Sequence, residues 1–261
     1  MAEIEQYRLP QSLQTEWYET GHINTTLIIA NLASVEAVLA QQIAIFCQLP
    51  DYYKLTYSAG TPLWAWIGGK GRDAKLISTV LHGFHGGDQA EVVRRQQFFG
   101  DLVRDLMENG EEPWKIGFTI HAFGDSYAHT HLDEAGQRRA YGFPIGHGLD
   151  FLACVKPDHI SQHPQLYLDY CTALFWALCG ESAGDSVEFA AFRGGFEAVL
   201  AHPYFVTGSA REQEDIVSGF IITSSRDRTT RADMKAAMGR LDYDEVIGFL
   251  EELRAQLKYP F

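Results

Sequence analysis

The chain has 261 residues and a formal net charge of −13, and its length suits one large domain or two small ones. Its hydrophobic content of 46%, with 16 Phe, 12 Tyr and 5 Trp, supports a sizeable core and excludes disorder as a description of the whole chain. The acidic balance argues against a broad basic surface for long nucleic acid, but it leaves room for a local site that binds a phosphoester.

The N-terminal residues and the hydropathy pattern bear on localisation. Residues 1–6 are acidic and polar, without the basic start and apolar stretch of a secretory signal. No apolar run approaches the roughly 18–20 residues of a membrane span. We therefore expect a cytoplasmic protein with no transmembrane segment, while export that needs no cleavable signal stays open.

Helical periodicity dominates the chain and predicts an all-α, single-domain protein over 1–261, with a metal-site half at 17–160 and additional helices over 164–261. Ser34, Asp88 and Asp242 are the expected N-terminal caps. An apolar run at 220–223 fits the end of a helix better than a strand. The predicted helices cover 17–30, 34–48, 73–84, 89–109, 113–131, 164–179, 185–201, 211–222, 230–239 and 243–257, with long loops at 50–72 and 132–163.

The four cysteines include no Cys-x-x-Cys pair, and a disulfide framework is not expected at this size and density. Cys171 and Cys179 are eight residues apart in an apolar helical run. We therefore expect them to be buried free thiols.

A cluster of histidines lies in the predicted helix over 113–131. His121, Asp125 and His129 are four residues apart and therefore share one face, and His131 follows near the expected helix end. Imidazole nitrogen and carboxylate oxygen are ligands for zinc and similar divalent metals. The spacing of His121 and Asp125 predicts a metal site, and a buried hydrogen-bonded pair is the alternative.

Nine of the ten histidines lie between residues 22 and 163, which suggests a site rather than a random distribution. Taken singly, His22 is typical of a capping or surface residue, and Asp51 of a helix cap or turn. Of His82 and His85, we expect one ligand and one supporting or solvent-facing group. Surface or structural roles are expected for His159, His163 and His202.

The order of these motifs resembles a known family. Residues His121-Ala-Phe-Gly-Asp125-Ser-Tyr-Ala-His-Thr-His131 are similar to the His-x-x-Gly-Asp-x-x-x-x-x-His segment of the zinc-dependent phospholipase C / S1–P1 nuclease superfamily. Upstream, Trp17-Tyr-Glu-Thr-Gly-His22 resembles the start of the nuclease branch, and Leu49-Pro50-Asp51 stands where the family has an acidic ligand. His82 or His85 stands where the family has its next histidine. The resemblance covers roughly residues 17–150.

The resemblance implies an all-helical hydrolase of phosphodiesters that holds up to three zinc ions, with iron or manganese as other possible metals. It implies that Asp51 and Asp125 are the catalytic carboxylates, and that the substrate is a small-molecule or lipid phosphoester, either a phospholipid or a nucleotide. The implied ligand sets are Asp51, His82 or His85, His121 and Asp125 for one metal, Asp125 with His22 for a second, and His131 with His147 for a third.

Two other interpretations stay open. The chain could be a helical protein without catalytic activity that holds a structural metal, or none, and binds a partner. The residue four positions after His147 favours this interpretation, because it is Phe151 where the resembled family has an acid. A helical phosphohydrolase built on an adjacent His-Asp pair is not supported, since the chain has no such dipeptide. Lys70 and Arg72 are the nearest candidates for a phosphate clamp, and the oligomeric state is open.

Overall fold

The computed structural model describes residues 18–52, 71–142, 159–180 and 186–258. Within these ranges the chain forms eleven α-helices and one short antiparallel hairpin, which confirms the predicted all-α class. The helices are α1 (Thr25–Leu32), α2 (Ala37–Gln48), α3 (Gly71–Leu76), α4 (Gln89–Glu108), α5 (Pro113–Ala128), α6 (Pro164–Cys179), α7 (Val187–Ala201), α8 (Pro203–Thr207), α9 (Ala210–Ser225), α10 (Arg231–Met238) and α11 (Tyr243–Leu257).

Four short segments of non-α helix flank these helices. The chain is π-helical over Tyr18–Asn24, before α1, and over Ile77–Leu81, after α3. It forms 3₁₀ turns over Leu49–Asp51, after α2, and over Ile160–Gln162, before α6. π-Helical turns are rare and frequently lie at functional sites. The π-helical turns before α1 and after α3 therefore indicate a candidate functional site near these two segments.

Most predicted helix boundaries are close to the observed ones, and those of α6 and α11 are the same. The side chains of Asp88 and Asp242 cap α4 and α11 as expected. The cap of α2 was predicted wrongly. The Glu36 carboxylate accepts hydrogen bonds from the main-chain nitrogens of Val38 and Leu39, both at 3.0 Å, and Ser34 lies in the preceding turn.

The end of α5 also differs from the prediction, because the helix stops at Ala128 and a hairpin follows. Strand β1 (Thr130–Leu132) pairs antiparallel with β2 (Arg138–Ala140). The carboxylate of Asp133 accepts hydrogen bonds from the main-chain nitrogens of Ala135 and Gln137 and so closes the turn. This local hydrogen bonding competes with helix propagation and places His131 on a strand.

The centre of the fold is α5, which packs between α2 and α4 and is buried at every position from Ile116 to Ser126. The approach of α2 is close. A Cβ atom at Gly117 would lie only 2.5 Å from the Cβ of Phe46 and 2.8 Å from the main-chain nitrogen of Cys47. Gly117 therefore allows the end of α2 to contact α5 one helical turn before His121.

The buried apolar residues of the described helices form one continuous cluster, which extends from α1 to α11. Cys171 is buried as a free thiol, as predicted, whereas Cys179 is only partly buried. The extent of a single domain over 1–261 stays a prediction. In the part of the chain that the structure describes, no helix combines the length and apolar character that a membrane crossing requires.

Candidate metal centre

Five side chains that the sequence analysis singled out converge at the buried end of α5. His121 and Asp125 occupy successive turns of one face of this helix, as their spacing predicts. The other three come from the short non-α segments: His22 from the π-helical turn before α1, Asp51 from the 3₁₀ turn after α2, and His82 from the end of the π-helical turn after α3. Their exposures are 0% for His82 and His121, 1% for Asp125 and 4% for His22, and Asp51 is partly buried.

The first potential metal position lies between two histidines and two aspartates. His82 Nδ1 is 3.2 Å from His121 Nε2, and each of these nitrogens is 3.3 Å from Asp125 Oδ2. Asp51 Oδ1 lies 3.7 Å from the His82 nitrogen and 3.9 Å from the His121 nitrogen. Around a tetrahedral zinc with bonds of 2.0–2.2 Å, neighbouring ligand atoms are about 3.3–3.5 Å apart. These separations therefore suit the coordination of one small cation.

A second potential position adjoins the first. His22 Nε2 lies 3.2 Å from Asp51 Oδ2 and 3.4 Å from Asp125 Oδ1. These are the carboxylate oxygens that do not face the two other histidines. Each aspartate therefore presents one oxygen to each position, which is how carboxylates bridge two neighbouring cations.

Two overlapping groups of three potential ligands can be drawn from these residues, with ligand atoms within 4.8 Å of one another: Asp51, His82 and His121, or His22, Cys47 and His121. We favour the first group, because His121 Nδ1 already donates a hydrogen bond to the carbonyl oxygen of Cys47 at 2.9 Å. Moreover, His22 directs Nε2, and not the nitrogen near Cys47, at the two carboxylates.

The pKa values of the clustered side chains show that the two carboxylates stabilise positive charge at this site. Burial opposes the protonation of His121, but the carboxylates of Asp125 and Asp51 outweigh it and raise the pKa of His121 to about 9. The pKa of His22 is likewise raised, against burial, by hydrogen bonds to Asp125 and Asp51. The pKa of Asp125 falls well below its ordinary value, since His129 and His121 overcome the opposing effect of burial. Protons on these imidazoles take the place that a divalent cation would fill.

The residues fit a metal ion better than a closed network of hydrogen bonds. Asp125 Oδ2 is buried, and no group of the described residues reaches it in hydrogen-bond geometry, although three ring nitrogens lie within 3.4 Å of it. Two ring nitrogens, from His82 and His121, also face each other at 3.2 Å. A buried carboxylate oxygen without a hydrogen bond is costly, and a cation at this point would satisfy it together with both nitrogens.

Neighbouring groups hold these side chains in orientation. The hydrogen bond from His121 Nδ1 to Cys47 O leaves His121 Nε2 free to face the first position. Cys47 Sγ accepts a hydrogen bond from Thr26 Oγ1 at 3.2 Å and lies 3.8 Å from His22 Nδ1. The ring of His129 donates from Nδ1 to the carbonyl oxygen of His82 at 2.7 Å. Cys47 and His129 therefore position three of the candidate ligands.

The backbone conformation determines that His82, and not His85, lies in the cluster of candidate ligands. Gly83 has a φ of 69°, and a Cβ at this residue would lie 3.1 Å from the carbonyl oxygen of Asp125. This turn directs His82 into the cluster, whereas His85 forms a β-bridge with Gly142. Burial, together with the charges of Arg95 and Arg94, lowers the pKa of His85 to about 2.

The remaining candidates lie elsewhere or outside the described residues. The ring of His131 on β1 lies 4.6 Å from the ring of Tyr141, and His131 is absent from the ligand groups found among the described residues. His147 and Lys70 fall in ranges that the structure does not describe. Arg72 is exposed and pairs with Glu251 at 2.6 Å. The third metal position, with His131 and His147, stays a prediction.

Sequence reasoning missed one residue at this centre, Cys47, which was treated only as one cysteine among four. His129 was predicted to share the helix face of His121 and Asp125, although it had no place in the resembled motif. Cys47 lies four residues before Asp51 at the end of a helix, a spacing that often places two residues on one side. This spacing could have indicated Cys47, as the same spacing indicated His129 beside Asp125.

Comparison with known proteins adds no relative. No family model matches the chain, and neither the curated proteins nor the solved structures searched contain a match. The all-α fold and a His/Cys/Asp cluster able to hold a metal ion therefore rest on the structure alone. The resemblance to the zinc-dependent phospholipase C / S1–P1 nuclease superfamily stays a prediction.

Proposed function

We propose that this protein is a metal-dependent hydrolase that cleaves a phosphoester at a centre of two cations. The observation that carries the proposal is the arrangement of Asp51 and Asp125, each of which presents one oxygen to His22 and the other to the pair His82 and His121. Centres with two neighbouring cations recur in phosphatases and nucleases. The resemblance of the 121–131 segment to the phospholipase C / S1–P1 nuclease superfamily supports the same reaction.

The residues of the chain provide the charge and geometry for this reaction. His82 and His121 would hold one cation with Asp51 and Asp125, and His22 would hold the second with the same two carboxylates. When bound, such a pair supplies Lewis acidity and a water of lowered pKa. Asp51 and Asp125 keep the centre anionic enough to retain two divalent ions, while Cys47 and His129 keep the imidazole rings in place.

Zinc is the metal that this donor set favours, because imidazole and carboxylate ligands at these separations suit a small tetrahedral ion. Iron and manganese accept the same ligands in other geometries and are the alternatives. The net charge of −13 favours a small-molecule or lipid phosphoester over long nucleic acid.

A second function, binding of a partner by a helical protein with a structural metal, is favoured by one observation. The first position is surrounded by four candidate ligands, Asp51, His82, His121 and Asp125, and four protein ligands are typical of structural zinc, whereas catalytic zinc keeps one position open. Only the hydrolase requires both a bound metal and turnover, so metal analysis followed by an activity assay separates the two functions.

The test combines metal analysis with an activity assay. The purified protein, loaded with zinc and desalted, is expected to retain about two equivalents and to hydrolyse bis(p-nitrophenyl) phosphate. Asp125→Asn should lose both properties, because Asp125 contributes to both positions. Asp101→Asn is the matched control and should keep both properties. Asp101 is exposed on α4, where it forms a salt bridge with Arg104.

The outcomes decide between the functions. Failure to retain zinc, iron or manganese would exclude the hydrolase and favour a partner-binding protein without a metal. Retention of metal without hydrolysis of any diester would favour the partner-binding protein. Hydrolysis that survives in Asp125→Asn would show that the reaction occurs elsewhere.

A further inference from the structure

The ring of His22 faces two different chemical environments. Its Nε2 faces the carboxylates of Asp51 and Asp125, at 3.2 Å and 3.4 Å. Its Nδ1 lies 3.8 Å from the sulfur of Cys47, a free thiol of 0% exposure near the end of α2. Carboxylate oxygen is a hard ligand and thiolate sulfur is a soft one, so the two nitrogens of this ring face ligands that suit different classes of cation.

Three potential ligands surround the position on the Nδ1 side. Cys47, His22 and His121 each offer one atom, and these atoms lie within 4.8 Å of one another. A cation with bonds of about 2.3 Å to sulfur and about 2.0–2.1 Å to nitrogen joins atoms 3.8 Å apart at an angle of about 120°. One thiolate and two imidazoles in such a trigonal arrangement are a recognised set of copper ligands in proteins.

Hydrogen bonds already hold Cys47 and its neighbours in place. Thr26 Oγ1 donates to Cys47 Sγ at 3.2 Å, and His121 Nδ1 donates to Cys47 O at 2.9 Å. Because this second bond occupies a nitrogen of His121, Cys47 and His22 are the principal ligands and His121 is a weaker third. Two strong ligands suit a cation of low coordination number, such as monovalent copper, better than zinc, which takes four.

Charge balance also favours a monovalent cation. Cys47 becomes a thiolate when it binds a metal, and it is the anionic member of the three ligands. Asp51 and Asp125 face the other nitrogen of His22, and a divalent ion at the first position would balance both of them. A monovalent ion then leaves the thiolate site neutral, whereas a divalent ion leaves a buried positive charge, which is costly.

Occupation of this site excludes the second cation of the candidate metal centre. A neutral imidazole has a proton on one nitrogen and a lone pair on the other. A cation on Nδ1 therefore leaves the proton on Nε2, where Asp51 Oδ2 and Asp125 Oδ1 can accept it. A cation on Nε2 leaves the proton on Nδ1, facing the sulfur. His22 can therefore serve only one of the two cations at a time.

We propose that Cys47 and His22, with His121 as a third ligand, form a binding site for soft monovalent copper, which displaces the cation held by His22, Asp51 and Asp125. Binding breaks the S–H bond of Cys47, forms a bond from sulfur to copper and releases the proton to solvent. No electron is transferred. The inference goes beyond the proposed function, because these ligands bind copper whether or not the protein cleaves a phosphoester.

The test titrates the metal-free protein with Cu⁺ under argon, in the presence of bicinchoninate as a competing chelator that removes copper from single thiols. One equivalent is expected to bind, with a thiolate-to-copper absorption band in the near ultraviolet. Cys47→Ser replaces the soft sulfur by a hard oxygen of similar size. It should weaken this binding at least about 100-fold, because loss of a ligand exceeds the effect of losing a supporting contact. Cys179→Ser is the matched control, since Cys179 is a partly buried free thiol outside the cluster, and it should bind Cu⁺ as the wild type does.

A second variant distinguishes a two-residue site from capture by the thiol alone. His22→Gln keeps the sulfur and removes the nitrogen beside it, so it should also lose the tightly bound equivalent. Tight binding that survives in His22→Gln would overturn the inference. Should Cys47→Ser fail to fold by circular dichroism, His22→Gln decides.

Competition with zinc tests the exclusion. In the zinc-loaded protein, one zinc ion should be released for each Cu⁺ bound, and Cys47→Ser should release none. Copper that binds the wild type without release of zinc would overturn the exclusion. The divalent, thiophilic Cd²⁺ should bind the thiol less tightly than Cu⁺, and equal affinity would overturn the charge argument.

The results separate the inference from the proposed function. If bis(p-nitrophenyl) phosphate is hydrolysed but Cu⁺ binds the wild type no more tightly than Cys47→Ser, the inference is overturned and the hydrolase stands. If the protein neither retains zinc nor hydrolyses a diester, the hydrolase is overturned. The difference in Cu⁺ affinity between the wild type and Cys47→Ser then still decides the inference.

Discussion

The contact between α2 and α5 at Gly117 offers the sharpest test of how the fold builds the centre. Replacing Gly117 by alanine would place a Cβ atom 2.5 Å from the Cβ of Phe46, 2.8 Å from the nitrogen of Cys47 and 2.8 Å from the carbonyl oxygen of Ile43. Carbon atoms prefer separations of about 3.5–4.0 Å, so the helices must separate by about 1 Å. Two of the three neighbours are main-chain atoms, which cannot move by changing rotamer.

The magnitude follows from two opposing effects. Overpacking of this kind costs about 1–3 kcal/mol, and contact with main-chain atoms places Gly117→Ala near the upper end. Alanine is better than glycine in a helix by about 1 kcal/mol. The net loss in the free energy of unfolding should be about 2 kcal/mol, and the melting temperature should fall by about 4–8 °C.

The separation of α2 from α5 in Gly117→Ala should also disturb the metal centre. His121 Nδ1 donates to the Cys47 carbonyl oxygen at 2.9 Å, one turn from Gly117. A separation of about 1 Å would break this bond, and loss of such a supporting contact typically lowers metal affinity by about 10- to 100-fold. The reduction in zinc affinity should therefore accompany the loss of stability.

Urea unfolding of the metal-free protein and zinc titration of the folded protein measure the two effects. Gly248→Ala in α11 is the control, because no atom of the described residues outside the adjoining helix backbone lies within 4 Å of the position of its Cβ. It should stabilise the protein by about 0.5–1 kcal/mol without changing zinc affinity. If Gly117→Ala were as stable as the wild type and bound zinc equally well, the argument that this close approach sets the centre would be wrong.

Three further predictions concern the centre and its surroundings. A chelator should lower the melting temperature of the zinc-loaded protein but not that of Asp125→Asn, because only a bound metal adds stability by mass action; an equal shift in both would contradict the assignment of Asp125. Cys47→Ala should weaken one of two zinc sites in a titration, since it removes the sulfur beside His22 Nδ1 and keeps the main-chain carbonyl that holds His121; loss of both sites or of neither would count against it. Burial, then Arg95, lowers the pKa of His85 to about 2, so between this value and the unfolded pKa of 6.5 the unfolded chain binds a proton that the folded chain does not. Acidification from pH 7 to pH 5 should therefore destabilise the wild type more than His85→Gln in urea unfolding, and identical pH dependences would refute this.

Much of the local structure was predictable because it depends on local periodicity. The bounds of α6 and α11 follow from apolar residues at helical spacing, and Asp88 and Asp242 cap the helices that follow them. Where polar side chains bond to the nearby backbone, the prediction failed. Asp133 closes a hairpin turn through such bonds, and Glu36, not Ser34, caps α2.

At the candidate centre, sequence spacing alone placed His121 and Asp125 on one face of a helix, because residues four apart on a helix are neighbours whatever surrounds them. The tertiary structure alone decided that His82 enters the cluster and His85 does not, since the choice depends on the positive φ of Gly83 and its close approach to Asp125. It also decided that Cys47 supports two histidines, because the contact requires α2 to cross α5 at Gly117. Ring orientation and the bridging arrangement of Asp51 and Asp125 depend on packing between segments distant in the chain, which local periodicity does not encode.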